Sequence, residues 1–171
     1  MVDYKSIEDD AGGILMIYRP SNKGDISRLL EIQKEVFEED LQKYQDYDTN
    51  PACETWEKME KSIEIAHHFT IFDRDDNILG AIDIRGNDER MHINKIFIKT
   101  ECQNSGMGTK AMDFVQKEYT SAKLWTLYTP HLSYRNHYFY EKMGFSKIKE
   151  VKVSDRLTLF KYEKYVLQTE V

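Results

Sequence analysis

Two cysteines in 171 residues, Cys53 and Cys102, are too few to staple a fold. The N-terminal run Met1-Val2-Asp3-Tyr4-Lys5 is acidic and polar, without the basic-then-apolar pattern of a signal peptide. Both thiols are therefore expected to be reduced, and a cytoplasmic protein is expected. No apolar run approaches the ~20 residues that a membrane-crossing helix needs. Positive charge is in deficit: 24 Lys and Arg against 30 Asp and Glu leave a net charge of −6. That deficit argues against nucleic acid as the main partner and is compatible with a cationic acceptor such as an amine. Prolines are scarce, and Pro20, Pro51 and Pro130 each fall at an expected boundary. There is no internal repeat and no low-complexity tract. What remains, 40% hydrophobic and 32% charged residues, has the make-up of a globular protein. Its length suits one domain, residues 1–171, around a single core.

Glycine is also sparse, at eight residues, yet two fall close together in Gln103-Asn104-Ser105-Gly106-Met107-Gly108-Thr109. An apolar, β-branched segment, Ile93 to Ile98, leads into this run, and an amphipathic helical pattern, Met107 to Tyr119, leads out. A strand, a glycine turn and a helix start in that order gather main-chain N–H groups at the positive end of a helix dipole, a site for phosphate. Gly106 and Gly108 let the backbone bend and approach an anion closely. A nucleotide loop fits worse. No G-x-x-x-x-G-K-[ST] run occurs, and the spacing is not G-x-G-x-x-G with a following acidic residue.

Along the chain, residues 1–13 end in Gly12-Gly13 and read as a loose leader or a short added strand. Ile14 to Arg19 reads as a strand stopped by Pro20. Asp25 then starts a helix with Ile26, Leu29, Leu30, Val36 and Phe37 on one face. Glu38 to Asn50 reads as a polar connector, and Glu54 to Ala66 as a second helix with Trp56, Met59 and Ile63 inward. Strands are expected over Phe69–Phe72, Ile78–Arg85 and Met91–Lys99, then a helix from Met107 and a strand over Lys123–Thr129. Ser133 to Met143 reads as a helix with Ser133 as N-cap. Phe145–Val153 and Leu157–Tyr162 read as closing strands. The order β-α-α-β-β-β-α-β-α-β-β predicts an α/β fold with a mixed, largely antiparallel sheet and helices on both faces.

A second motif lies about thirty residues beyond the first: Tyr140-Glu141-Lys142-Met143-Gly144-Phe145, a helix end with a glycine stop that passes into a strand. Q-x-x-G-x-G after an apolar strand, followed by Y-E-K-x-G-F after the next helix, resembles the GNAT superfamily of acyl-CoA-dependent N-acetyltransferases. The resemblance is tight from about Met91 to Glu150 and extends, as element order, over nearly the whole chain. It implies acetyl-CoA as cosubstrate and a primary amine, on a small molecule or a protein, as acceptor. The amides of Asn104, Ser105, Gly106, Met107, Gly108 and Thr109 would hold the pyrophosphate, with Gln103 opening the turn and no metal required. Lys99 and Lys110 are near enough to add charge or to serve as solvated surface. The pantetheine arm would pair with the main chain of Ile96, Phe97 and Ile98 between two parted strands, and the Ile98 amide would face the thioester carbonyl.

By the same resemblance Tyr140 matches the tyrosine that protonates the departing thiolate; a phenol with a pKa of about 10 is protonated at neutral pH. An Asn usual seven residues earlier is here Ser133. Asn136 either bonds the pantetheine arm or is a polar helix residue. Tyr138 and Phe139 read as packing residues, and His137 has no motif support. The position of the general base falls on His92, with Asn94 at a related position two residues on. A histidine titrates near neutrality, so His92 is either that base or a partly exposed strand residue. Simple alternation puts it on the face of Ile96 and Ile98; a strand bulge, common in the family, would reverse that. Glu35, Glu38, Glu39, Asp40 and Asp83 are further acidic candidates near an acceptor. No His/Cys/Asp cluster has metal spacing, and Cys102 lacks a partnered His, so direct attack is expected rather than an acetyl-enzyme. The alternative is a GNAT-like acyl-CoA sensor or scaffold without efficient catalysis, and a nucleotide-binding α/β protein is a third reading. Many relatives pair through their late strands, so the resemblance leaves a homodimer open.

Overall fold

A capping box closes the 3-10 turn Lys23–Asp25 that leads into the first long helix. The Asn22 side chain accepts from the Gly24 amide, and Asp25 accepts from the Asn22 amide at 2.9 Å. Asp25 is also gripped by both terminal nitrogens of Arg19, at 2.8 and 3.1 Å, and by the Thr70 hydroxyl at 3.1 Å. This fastens the helix start to two strands. A computed structural model of the protein describes residues 6–9, as main chain, and residues 15–167.

In chain order the elements are β1 (Ser6–Asp9), β2 (Leu15–Pro20), α1 (Ile26–Tyr44), α2 (Trp56–Ile65), β3 (His67–Phe72), β4 (Ile78–Gly86) and β5 (Arg90–Ile98). There follow α3 (Met107–Glu118), β6 (Leu124–Pro130), α4 (Tyr134–Lys142), β7 (Ser146–Lys152) and β8 (Thr158–Tyr165). The expected order holds, with β1 added in front. The rest of the expected leader, with Gly12-Gly13, lies outside the described residues.

The strands form one eight-stranded sheet, ordered β1-β2-β3-β4-β5-β6-β8-β7. Every neighbouring pair is antiparallel except β5 with β6. The glycine turn and α3 supply the crossover that a parallel pair requires. α1 and α2 cover one face, where Ile26, Leu29, Ile32 and Met59 pack on Ala81 and Phe97. α3 and α4 cover the other, where Met107, Ala111, Met112, Phe114 and Val115 meet Ile82, Ile84, Ile93, Trp125 and Leu127, and Phe139 and Tyr140 pack alongside.

Four local expectations are corrected. The connector expected over Glu38–Asn50 is helix as far as Tyr44, because Leu41 and Tyr44 extend the buried stripe at helical spacing past a polar stretch. Trp56, expected inward, is 38% exposed, because it is the first residue of α2 while Met59 one turn on takes the core. Ser133 makes no side-chain cap; its hydroxyl lies 3.3 Å from that of Tyr44 instead. Tyr138, expected to pack, is 71% exposed, whereas its neighbour Phe139 is on the buried side. No helix among the described residues is long and apolar enough to cross a membrane.

Candidate active site

The parallel pair is short. β5 and β6 are in register from Arg90 opposite Leu124 to Ile93 opposite Leu127, and then they part. Past that rung β5 stays with β4 to Ile98, and β6 stays with β8 to Pro130, so a gap opens in mid-sheet. The Lys99 amide bonds the Leu79 carbonyl at 2.8 Å. Bonded rungs of an antiparallel ladder alternate, so Phe97 spends its main chain on Ala81, while Ile96 and Ile98 turn theirs toward the gap. The Ile98 carbonyl is met there by Gln103 Nε2 at 3.1 Å. Gln103 thus ties the end of the strand to the start of the glycine turn, and its Oε1 lies 3.4 Å from Arg135 of α4.

The turn runs through a short 3-10 segment, Thr100–Cys102, and then takes left-handed backbone at Asn104 (φ 64°) and Gly106 (φ 81°). Gly106 is the N-cap of α3 and offers no side-chain cap, so the first amides of the helix point outward with the full dipole behind them. A Cβ added at Gly106 would meet nothing within 4 Å, so the space in front of these donors is open. At Gly108 the same atom would touch Phe139 at 3.6 Å, which marks that glycine as the contact between α3 and α4. Lys99 is engaged with Glu101 at 2.7 Å. Burial raises the Cys102 thiol above its ordinary pKa, contrary to an activated nucleophile.

On the α3/α4 side, α4 closes beside the end of β6. Asn136 Nδ2 reaches the buried Thr129 hydroxyl at 3.3 Å, and His137 Nε2 lies 2.9 Å from the Pro130 carbonyl. Tyr140 sits among the rings of Phe139, Phe145 and Tyr162, with centroids 5.2 to 6.2 Å away. Desolvation in this nest pushes its pKa up to about 12, which keeps the phenol protonated.

The opposite side is set by a bulge. Asp83 faces Lys95 but Ile84 faces Ile93, so Asn94 is an extra residue in β5. Met91, Ile93, Ile96 and Ile98 therefore all join the α3 side, and His92 falls on the face of Lys95 and Phe97. His92 Nδ1 lies 2.7 Å from Thr126 Oγ1, and its ring leans on Tyr128 at 5.7 Å. Burial, then the charges of Lys161 and Arg85, lower its pKa below the ordinary value against the pull of Asp83, so it is neutral at pH 7. His92, one rung before the ladder ends, lies on the α1/α2 face of the sheet, and Tyr140 packs on the α3/α4 face.

Around the bulge the candidates Asp83 and Asn94 meet groups that sequence patterning missed, Arg85, Lys95, Glu54 and Gln33. Asp83, 1% exposed, pairs with Arg85 at 3.3 Å and accepts from Asn94 Nδ2 at 3.0 Å. Lys95 donates to Glu54 at 2.6 Å, and Gln33 donates to the same carboxylate. Of these, Glu54, Asn94 and Lys95 line a polar cavity of about 210 Å³, closed by the segment 48–53 and by Lys58 of α2. The only sequence signal was polar residues inside an apolar strand. Of the other acidic candidates, Glu35, Glu38 and Glu39 are exposed and Asp40 is half-buried, its pKa raised by burial against the charge of Lys43.

Comparison with known proteins places this arrangement. No curated protein matches the sequence. Among solved structures, Ard1 from Thermoplasma volcanium superposes with a TM-score of 0.72 at 15% identity, covering 90% of this chain and 99% of that one. PaiA N-acetyltransferase from Thermoplasma acidophilum, in complex with coenzyme A, gives 0.69 at 17% identity, covering 88% and 99%. The ribosomal-protein-S18-alanine N-acetyltransferase from Escherichia coli gives 0.71 at 9% identity, covering 91% and 96%. At such identities these likenesses speak for the fold. The sequence itself matches the acetyltransferase (GNAT) domain over residues 34–166, most of its length, and the chain belongs to the GNAT acetyltransferase family.

Proposed function

We propose that this protein transfers an acetyl group from acetyl-CoA to a primary amine by direct attack. The observation that carries the reading is the gap beyond Ile93 and Leu127, bordered by the main chain of Ile96 and Ile98 and ending at the uncapped start of α3. A long thin ligand with a diphosphate needs that combination: main-chain pairing for its arm and a cluster of N–H donors for its anion. The open space at Gly106 fits such a group, and the coenzyme A complex of the Thermoplasma PaiA enzyme supports the assignment by analogy of fold. In this reading the amides of Asn104 to Thr109 take the diphosphate, Gln103 braces the turn, and Asn136 borders the arm from α4.

The chemistry follows from which groups face the gap. The amine nitrogen bonds to the acyl carbon as the carbon–sulfur bond breaks. The Ile98 amide, with that of Ile96 one rung deeper, lies toward the carbonyl oxygen, where a fixed donor counts most as charge develops. The amine gives up a proton to neutral His92, directly or through water. Tyr140 gives one to the leaving thiolate. Positioning supplies most of the acceleration, and each proton transfer adds ~10²–10⁴-fold.

The test is calorimetric titration with acetyl-CoA alongside thiol release in the presence and absence of a broad amine panel. Saturable binding with amine-dependent release is expected. Binding without release from any amine would leave the sensor reading in its place, and no binding would remove both.

A further inference from the structure

We propose that the acceptor is a small zwitterion, an amino acid or a close analogue that carries one amine and one carboxylate. This rests on the acetyl-transfer reading above. The cavity of about 210 Å³ lies against Asn94 and Lys95, the first two β5 residues beyond the last rung shared with β6, so it opens where the gap begins. Its volume of about 210 Å³ gives room for a small polar group of amino-acid scale beside the gap.

Its walls carry Asp48, Glu54, Lys58 and Lys95. Glu54 and Lys95 neutralise each other at 2.6 Å and are both largely buried. One carboxylate, Asp48, and one ammonium, Lys58, are left to face a ligand, so the cavity is electrically balanced although the whole chain is not. A polyamine would satisfy Asp48 and be repelled by Lys58; a dicarboxylate would meet the reverse. A molecule with one charge of each sign satisfies both.

The orientation is fixed by Asn94. Asp83, ion-paired with Arg85, can only accept, so Asn94 must give it the amide nitrogen, as the 3.0 Å bond records. The Asn94 carbonyl oxygen is then the free end of that amide, at the bulge where the strand leaves the sheet. A carbonyl there accepts an N–H from the amine and leaves the nitrogen lone pair for the thioester. The amine end thus lies at Asn94, on the face that also carries His92, and the carboxylate end lies toward Lys58.

The experiment compares the common L-amino acids, each with its decarboxylated amine, and spermidine, in a thiol-release assay on the full chain. Acetyl-CoA affinity is measured separately by calorimetry. At least one amino acid should exceed its matched amine by about tenfold or more in kcat/KM, the scale of one charge-assisted hydrogen bond. Lys58→Gln should remove that preference, raising the KM for the amino acid and, by relieving the repulsion, raising the matched amine's kcat/KM, with the acetyl-CoA affinity unchanged. Lys58 is an exposed residue, so the variant is expected to fold. Spermidine or the matched amines turned over as well as the amino acids would overturn the proposal, as would binding of acetyl-CoA with no amino acid turned over. Absence of acetyl-CoA binding would instead overturn the transfer reading on which it stands.

Discussion

Replacing Gly106 with valine perturbs folding and ligand binding by amounts that can be measured separately. The residue holds φ at 81°, a left-handed conformation that costs an L-residue about 1–2 kcal/mol, with a β-branched side chain at the upper end. No neighbouring atom stands within 4 Å of the new Cβ, so steric conflict inside the protein adds nothing to that cost. For a chain of this length each kcal/mol moves Tm by roughly 2–4 °C, so a fall of about 4–8 °C is expected. The isopropyl group, however, fills the space in front of the first amides of α3. Each charge-assisted hydrogen bond lost to a phosphate is worth ~1.5–3 kcal/mol, so losing one or two weakens acetyl-CoA by about tenfold at the least and by about 10²-fold or more if both are lost. Gly108→Ala is the matched control. Its Cβ meets the Phe139 ring at an ordinary 3.6 Å, and inside a helix alanine is favoured over glycine by up to ~1 kcal/mol. That variant should keep both stability and affinity. Thermal melts and calorimetry on the two proteins decide the matter. A folded Gly106→Val protein that binds acetyl-CoA as tightly as the wild type would mean that the diphosphate does not sit on this helix.

Tyr140→Phe should lower kcat by about 10²-fold with little change in acetyl-CoA affinity, and equal turnover by the variant removes the assigned acid. Because burial holds the Tyr140 pKa near about 12, wild-type kcat should show no alkaline decline from this group up to pH 10. His92 is held below its ordinary pKa of 6.5, so the acid limb of the rate profile should fall below that value; His92→Ala should lose the limb along with most of the rate, and an unchanged profile rules His92 out as base. Buried His68, its pKa lowered to about 4 chiefly by desolvation, binds fewer protons folded than unfolded. Its contribution is therefore complete above pH 6.5 and is lost as pH falls toward 4, amounting to about 3 kcal/mol. Urea titrations at pH 7 and pH 4.5 should show this loss, and His68→Leu should reduce it; an equal loss in the variant refutes the assignment.

The sequence carried the order of elements because the apolar periodicities are strong and the turns are punctuated by Pro20, Asp73-Arg74-Asp75-Asp76-Asn77 and Gly144. It also carried the glycine turn, whose chemistry is local: positive φ at Gly106 and a helix that follows at once. What it did not carry was set by contacts distant in sequence. The last two turns of α1 are polar but for Leu41 and Tyr44, and Tyr44 gains its place only by lying beside Ser133 and His131. Glu54 and Lys95 look like two surface charges until the chain brings them to 2.6 Å. Asp83 and His68, cross-strand neighbours on β4 and β3, look like breaks in apolar strands, yet both are buried against the α1/α2 layer.

The bulge at Asn94 joins these threads. With strict alternation through β5, His92 would share the face of Ile96 and Ile98 and would point into the α3 core, where Ile84, Ile93 and Trp125 pack. One added residue keeps Ile93 and Ile96 on that core while turning both His92 and Lys95 to the other side, across the bulge from one another. The parallel ladder ends at Ile93, the residue before the bulge, because an extra residue in β5 has no counterpart to match it in β6. The gap, the placement of the histidine and the cavity at Asn94 are thus three consequences of a single local irregularity. Deleting Asn94 should therefore abolish amine-dependent thiol release far more completely than Asn94→Ala, because deletion restores the alternation and inverts every side chain on one side of it.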